Sequence, residues 1–425
     1  MLDIKFIREN SDLVEKNCAN RLSPLDISSF LRLDEEVRSL KVKVESLRAE
    51  RNSFSKTKPS PEIIEKMKSL GEELKKDEAL LLEKEDEFKK IHLSIPNITN
   101  QDVRVSDNED DNPVLETVGE IKKFDFKALD HVELAEKLDL IEFDRATKVS
   151  GAKFYYLKNG LALLEFALIQ YVLNILVQKG FDIFTSPDLA KKEVLEGLGF
   201  NPRGESTQVY SIENSDLCLI GTAEITLGGL HKDEILEEKD LPKKYAGVSH
   251  CFRTEAGSYS KFSKGIFRVH QFTKIEMFQF TKAEDSEKAH QELLEIEKEI
   301  FSGLGLAFRV IDHCTADLGA PSMRTYDLEA WMPGKPNKDG SEGDWAEVTS
   351  TSNCGDYQAR GLNIKLKREN GDKEFVHTLN GTAVAITRCL IAIIENYQQA
   401  DGSVIIPEVL RPYMPGGMSI ISPKK

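Results

Sequence analysis

The sequence predicts an α+β protein: an N-terminal antiparallel helical hairpin, a coiled-coil arm, followed by a larger domain with a mainly antiparallel sheet flanked by helices. Three observations predict it. Apolar residues between Phe30 and Phe54 recur at heptad spacing. A break rich in proline, KTKPSPE from Lys56 to Glu62, separates them from a second apolar stripe. Beyond the polar, acidic stretch Gln101–Asn112, short strand-like runs and glycines replace the long periodic segments.

The first stripe is Phe30, Leu33, Val37, Leu40, Val44, Leu47 and Phe54, with Arg51 interrupting. Steps of three and four place it on one face of a helix. Two prolines then bar continued helix. The second stripe is Met67, Leu70, Leu74, Leu81, Phe88 and Ile91, interrupted by Asp77 and Lys84. Two such helices joined by a short turn pack antiparallel. The first carries eight basic residues (Arg32, Arg38, Lys41, Lys43, Arg48, Arg51, Lys56, Lys58) against five acidic ones (Asp34, Glu35, Glu36, Glu45, Glu50). Two readings stay open: a plain dimerisation element, or a locally positive arm for nucleic acid.

The 425 residues suffice for two or three domains, divided here as 1–105 and 106–425. A net charge of −15 excludes a generally basic nucleic-acid coat. The six cysteines form no CxxC pair, which argues for reduced thiols and no zinc site. His313 and Cys314 are adjacent, but no second such pair lies nearby, so structural roles are expected. The N-terminal MLDIKFIREN has no apolar core of a secretory signal. No run approaches the ~20 apolar residues of a membrane span. A cytoplasmic location without membrane partners is expected.

In the larger domain, Gly160–Gln178 reads as an amphipathic helix. No GxGxxG or GxxxxGK[ST] loop occurs, so Rossmann and P-loop nucleotide binding are not supported. VSHCFRTEAGS (Val248–Ser258) and GIFRVHQFTKIEMFQF (Gly265–Phe280) alternate like strands around a loop. Alternation puts Arg253 with Glu255 on one face, and Arg268, His270, Phe272, Lys274 and Glu276 on another. Such a face is either solvated by salt bridges or a platform for an anionic, aromatic ligand. Arginine forks match phosphate, and phenylalanine stacks on a base. NGTAVAITRCLIAIIENYQ (Asn380–Gln398) reads as a helix opened by glycine and threonine, with Arg388 off its apolar stripe. That arginine is either a surface charge or a reach toward a triphosphate. In GDWAEVTSTSNCGDYQARG (Gly343–Gly361), Glu347 among hydroxyls suits Mg²⁺. In GTAEI, Thr222 and Glu224 suit an ammonium group.

Taken together these motifs resemble class II aminoacyl-tRNA synthetases, in the form found in the seryl-tRNA synthetase family. FRTEAGS, a loop, then RVHQFTKIE resembles motif 2; LNGTAVAITR (Leu379–Arg388) resembles motif 3; GFDIFTSPDL with Pro187 resembles motif 1. AERNSFSK (Ala49–Lys56) is similar to the family's hairpin arm, and the likeness covers essentially the whole chain. The resemblance implies ATP-dependent attachment of L-serine to serine tRNA through a seryl-adenylate, with Mg²⁺, by a homodimer. It implies selenocysteine tRNA as a further substrate where an organism has one. Residues 1–105 would bind tRNA.

It also implies residue roles. Arg253 and Arg388 would be catalytic, on the α- and γ-phosphates. Thr222, Ala223, Glu224, Arg253, Glu276 and Thr382 would hold serine, with Glu276 and Thr382 on its hydroxyl. Arg253, Thr254, Glu255, Phe272, Glu347, Val348, Thr349, Ser350 and Arg388 would hold ATP, with Glu347 and Ser350 on the metal. The chain departs from the family in YSKFSKG (Tyr259–Gly265), where an arginine-containing loop is usual, and in Leu195–Tyr210. Thr382 replaces a common serine and keeps the hydroxyl. A paralogue without tRNA charging, a scaffold without catalysis and an enzyme for another small amino acid are the rival readings.

Overall fold

The computed structural model describes residues 1–54, 60–200, 208–256, 262–337 and 340–423. It divides into two compact units, Met1–Ile98 and Thr99–Lys425.

The first unit opens with two short helices, α1 (Ile4–Glu9) and α2 (Ser11–Asn20), then the hairpin of α3 (Ile27–Phe54) and α4 (Pro61–Ser94). At 28 and 34 residues, the hairpin helices are about 42 and 51 Å long at 1.5 Å per residue. Pro61 occupies the first turn of α4, where its missing N–H costs nothing, and the Ser60 hydroxyl accepts from the Ile63 amide at 3.3 Å. The rest of the proline break, Lys56–Pro59, lies outside the described residues, as do Lys58 and the end of AERNSFSK. The expected stripes face inward: Phe30, Leu33, Val37 and Val44 of α3 are buried, as are Leu70 and Leu74 of α4. Phe30 stacks on Phe88 at 5.0 Å. The apparent interruption at Asp77 is a buried carboxylate paired with Lys43 at 2.7 Å.

The second unit is built on an eight-stranded sheet. Its strands are β1 (Val114–Val118), β2 (Asp182–Thr185), β3 (Lys243–Phe252), β4 (Gln271–Thr281), β5 (Phe308–Asp312), β6 (Arg324–Pro336), β7 (Glu342–Gly355) and β8 (His377–Ala385). Their order across the sheet is β1-β5-β6-β7-β8-β4-β3-β2. Every pair is antiparallel except β2 with β3. Helices α5 (His131–Leu138), α6 (Asn159–Gln178), α7 (Ser286–Gly303) and α8 (Ile386–Asn396) flank it. The core joins Ile275, Met277, Leu328, Leu379 and Val384 of the sheet to Leu164 and Leu168, Leu293 and Ile300, and Leu390 and Ile393 of the helices. Each such side chain contributes about 1.5–3 kcal/mol on full burial.

Three sequence expectations change. Gln101–Asn112 is not a free linker. The Asn100 amide donates to Met323 O, Ser106 N donates to Thr315 Oγ1 at 3.1 Å, and Cys314 N donates to Asn112 Oδ1 at 2.8 Å. Backbone satisfaction therefore ties this polar stretch to the second unit. The strands of motif 2 are shorter than expected: Arg253 and Glu255 lie beyond β3, and Arg268 and His270 precede β4. The helix expected from Asn380 begins only at Ile386, because Asn380–Ala385 pair with β4 as strand. Likewise Gly343–Gly355, a hydroxyl-rich stretch given no element from the sequence, is strand.

Helix α6 corrects the reading that no segment approaches a membrane span. Its 20 residues are long and apolar enough by composition, and 44% of the window is buried in the protein. Leu161, Leu164, Leu168 and Val172 face the core, as in a core helix. Phe166 and Val177 are exposed at 68% and 58%.

Candidate active site

A cavity of about 350 Å³ opens over β4, β7 and β8. It is lined by Thr222, Glu224, Arg253, Glu255, Phe272, Glu347, Val348, Thr349, Ser350, Thr382 and Arg388, residues singled out from sequence on five separate segments. Ala223 is fully buried behind this surface. Thr254 is not on the lining; its amide donates to Gln208 O at 3.1 Å. Glu276 is also off the lining, fully buried in the wall. Further lining residues were not assigned a role from sequence, among them Arg268, Lys274 and Asn380. The alternation of motif 2 already placed the first two beside Phe272 and Glu276. For Asn380 the sequence carried no signal, since its residue pair is formed by strand β8.

Two β-bulges shape the wall. On β7, Thr349 pairs with Leu328 and Glu347 with Glu329, so Val348 is the extra residue. On β8, Thr382 pairs with Glu276 and Val384 with Ile275, so Ala383 is extra. A bulge breaks strict alternation and re-aims the side chains beside it. This is how Glu347 and Ser350, an odd number of residues apart, both reach the cavity.

One end is a polar cluster. Lys274 Nζ pairs with Glu276 and donates to Thr382 Oγ1 at 3.4 Å. Thr382 Oγ1 donates to Glu276 Oε2 at 3.3 Å. Asn380 Nδ2 donates to Glu224 Oε2 at 3.1 Å, and Gln358 Nε2 donates to Glu224 Oε1 at 2.7 Å. Burial, then the nearby Glu276 charge, push the Glu224 carboxyl up to about 7; Gln358, Lys274 and Arg253 oppose them. An ammonium group placed here would restore its charge.

The other end is cationic. The Arg253 guanidinium lies 5.4 Å from the Phe272 ring centroid. Arg268 Nη1 donates to Glu255 Oε2 at 2.6 Å. Glu255 has φ +53°, the left-handed region that side chains avoid. Strain of this kind costs about 1–3 kcal/mol and persists where surroundings enforce it, commonly at functional sites. Arg388 sits in the first turn of α8 and lies 3.0 Å from Glu347 Oε1. A cation at a helix N-terminus is disfavoured by the helix dipole unless an anion joins it. Glu347 is that anion in this structure. Burial raises its carboxyl, but Arg388 first, then Arg253 and His313, outweigh burial and hold it below the usual range.

The motif 2 loop residues 257–261, including the first three of the atypical YSKFSKG, lie outside the described residues, as do 201–207 of the atypical Leu195–Tyr210. The loop's far stem is anchored. Lys264 pairs with Asp130, and His131 Nε2 lies 3.2 Å from Lys264 O. Gly265 has φ +57°, and a Cβ there would stand 2.2 Å from His131 Nε2, so only glycine fits. Among the described residues no group of three or more His, Cys, Asp or Glu is placed to hold a metal.

This set of arginines, acids and hydroxyls on an antiparallel sheet matches known proteins along the whole chain. Residues 1–99 match the seryl-tRNA synthetase N-terminal domain, and residues 208–397 match the class II tRNA synthetase core domain (G, H, P, S and T). A serine–tRNA ligase of Treponema denticola is 50% identical over 420 residues, covering 97% of this chain and 98% of that one. The chain belongs to the seryl-tRNA synthetase family. A serine–tRNA ligase of Dictyoglomus thermophilum is 49% identical with complete coverage of both chains. The seryl-tRNA synthetase of Pyrococcus horikoshii complexed with ATP superposes with a TM-score of 0.85 at 37% identity, covering all of both chains. The cytoplasmic serine–tRNA ligase of Naegleria fowleri in complex with AMP gives 0.82 at 33% identity, covering all of this chain and 99% of that one. The protein is thus an aminoacyl-tRNA synthetase of the class II type, a serine–tRNA ligase.

Proposed function

We propose that the cavity forms seryl-adenylate from L-serine and ATP and then passes the seryl group to serine tRNA. The observation that carries this reading is the polarity of the one cavity. Hydroxyl- and ammonium-binding groups occupy one end, and three arginines beside an aromatic ring occupy the other.

At the first end, Glu224, with Thr222 and Ala223 shaping its segment, receives the serine ammonium. Glu276 and Thr382 take the serine hydroxyl, and Lys274 lies within reach of its carboxylate. A site built around a hydroxyl rejects an analogue lacking it, because its buried polar groups are left unpaired. At the second end, Phe272 stacks on the adenine, and Glu255 with the Thr254 segment holds the adenine edge. Arg253 bridges the serine carboxylate and the α-phosphate, and Arg388 takes the γ-phosphate, exchanging Glu347 for it. The carboxylate attacks the α-phosphorus and pyrophosphate leaves. A terminal ribose hydroxyl of tRNA then attacks the seryl carbonyl, releasing AMP. The chain's own contribution is alignment and stabilisation of charge by fixed cations.

Mg²⁺ fits the donors present: the Glu347 carboxylate and Ser350 hydroxyl are hard oxygens, and Val348 and Thr349 belong to the same bulge. When bound, the ion neutralises phosphate charge. The protein acts as a homodimer: the exposed Phe166 and Val177 of α6 and the free edge of β2, with Ile183 at 37% exposure, form the face for a second copy. The hairpin reads serine tRNA, and selenocysteine tRNA where one exists, in the cytoplasm. The test is serine-dependent exchange of pyrophosphate into ATP, followed by charging of total tRNA. Absence of exchange with serine sinks the reading; exchange without charging supports the paralogue instead.

A further inference from the structure

We propose that Asp327, which lies behind the cavity lining, is a positioning residue for the divalent cation: its Oδ1 accepts a hydrogen bond from a water of the ion that Glu347 and Ser350 hold. This rests on the metal reading given above.

Asp327 and Ser350 stand directly opposite each other on the paired strands β6 and β7. Directly paired residues project to the same side of a sheet, and Ser350 lines the cavity. The Asp327 side chain is 9% exposed. One of its oxygens is already engaged: Oδ2 lies 3.0 Å from His313 Nε2. His313 is itself fixed, with its amide donating to Thr325 O at 3.0 Å and its Nδ1 lying 3.2 Å from Asp317 O. The other oxygen, Oδ1, has no hydrogen bond of good geometry among the described residues, though the Ser350 side chain lies close enough to favour the ionised carboxyl. A buried carboxylate oxygen without a donor is costly, more so than a neutral group. Glu347 raises the cost, because its charge repels that of Asp327.

A hydrated cation answers both problems. Its charge offsets the two carboxylates, and its waters supply the missing donor. Magnesium keeps several waters when bound by one or two protein ligands and by phosphates. Carboxylates of this second layer orient the ligands and are commonly worth a factor of ~10–100 in metal affinity. With His313 Nε2 against Oδ2, Oδ1 is the oxygen left for water.

The test is Mn²⁺ affinity, read by electron paramagnetic resonance on the full-length protein with a non-hydrolysable ATP analogue. Asp327→Asn is expected to weaken Mn²⁺ by about 10–100-fold, with unchanged binding of the analogue in the absence of metal. His313→Gln, which leaves the carboxylate in place, is expected to lose far less. Unchanged Mn²⁺ affinity in D327N, or equal loss in both variants, overturns the inference. If D327N does not fold, Asp327→Glu replaces it: its longer side chain cannot keep the same water, so weakened Mn²⁺ supports the role and unchanged affinity overturns it. Failure of the wild type to bind Mn²⁺ with the analogue is a different result, and overturns the metal reading itself.

Discussion

The hairpin and the cavity are both rich in charge, and they hold it in opposite ways. On the hairpin, Lys41 pairs with Glu85 at 2.7 Å and Arg48 with Glu78 at 2.7 Å, with every side chain at least 39% exposed. Lys84 likewise reaches Glu36 at 3.3 Å. In the cavity, Lys274 pairs with a Glu276 that is 0% exposed, and Arg268 with a Glu255 whose side chain is 6% exposed. Exposed pairs are screened and individually weak. Buried pairs cost desolvation that their mutual attraction only partly repays. Apart from Asp34 and Asp77, buried beside Arg8 and Lys43, charge that helps fold little is thus spread along the arm, while charge that burdens the fold is gathered at the cavity. The comparison also revises the arm's positive bias. Much of the excess on α3 is taken up by acids of α4, so the tRNA role proposed for the hairpin leans on family membership more than on its own field.

The largest test of this division is to remove the arm. Deleting residues 30–91 is expected to abolish tRNA charging while serine-dependent pyrophosphate exchange survives. Loss of both would mean that the two regions are not separable in function. Next, Arg253→Ala is expected to lower exchange by about 10²–10³-fold, the usual effect of losing one donor to developing charge. A thermal melt within a few degrees of wild type would separate that loss from unfolding.

Glu276→Ala leaves Lys274 buried without its partner. It is expected to cost about 3–5 kcal/mol of stability in urea unfolding; a cost near zero would show that the pair is wetter than its burial implies.

A smaller effect concerns pH. The Glu224 carboxyl is raised to about 7, so near neutrality part of the protein carries it protonated. Serine's ammonium prefers the ionised form, so KM for serine is expected to fall as pH rises from 6 to 8, with an inflection at about pH 7. Glu224→Gln should raise KM and flatten that profile; an equally steep profile in the variant would assign the titration elsewhere. The smallest effect is expected on the hairpin. Arg48→Ala should change stability by under about 1 kcal/mol, and less at high salt. A larger loss would place the hairpin's ladder of pairs with the cavity's, and erase the contrast.

The hairpin was legible because heptad spacing is a property of consecutive residues, and Phe30, Leu33, Val37 and Val44 are buried as that spacing requires. The site was legible in composition, since most residues picked out by motif line one cavity. Its mechanics were not. Alternation placed Arg253 and Glu255 on a strand they do not occupy, because Glu255 adopts a left-handed turn. A glycine-threonine pair read as a helix start is strand, because pairing with β4 overrides local preference. An apolar count passed over the length and apolarity of α6, although its segment was read as a helix; that character makes sense beside a core on one side.

By itself the sequence determined the two-part plan, the helical arm, the antiparallel class of the larger unit and the identity of the charged residues. These depend on periodicity and residue type, which local spacing records. Only the tertiary structure decided where the bulges at Val348 and Ala383 fall, that Arg388 opens a helix against Glu347, and that Asp327 stands behind Ser350. Each of these depends on strand register, which joins residues far apart in the chain, and register follows from burial of whole faces rather than from any one segment.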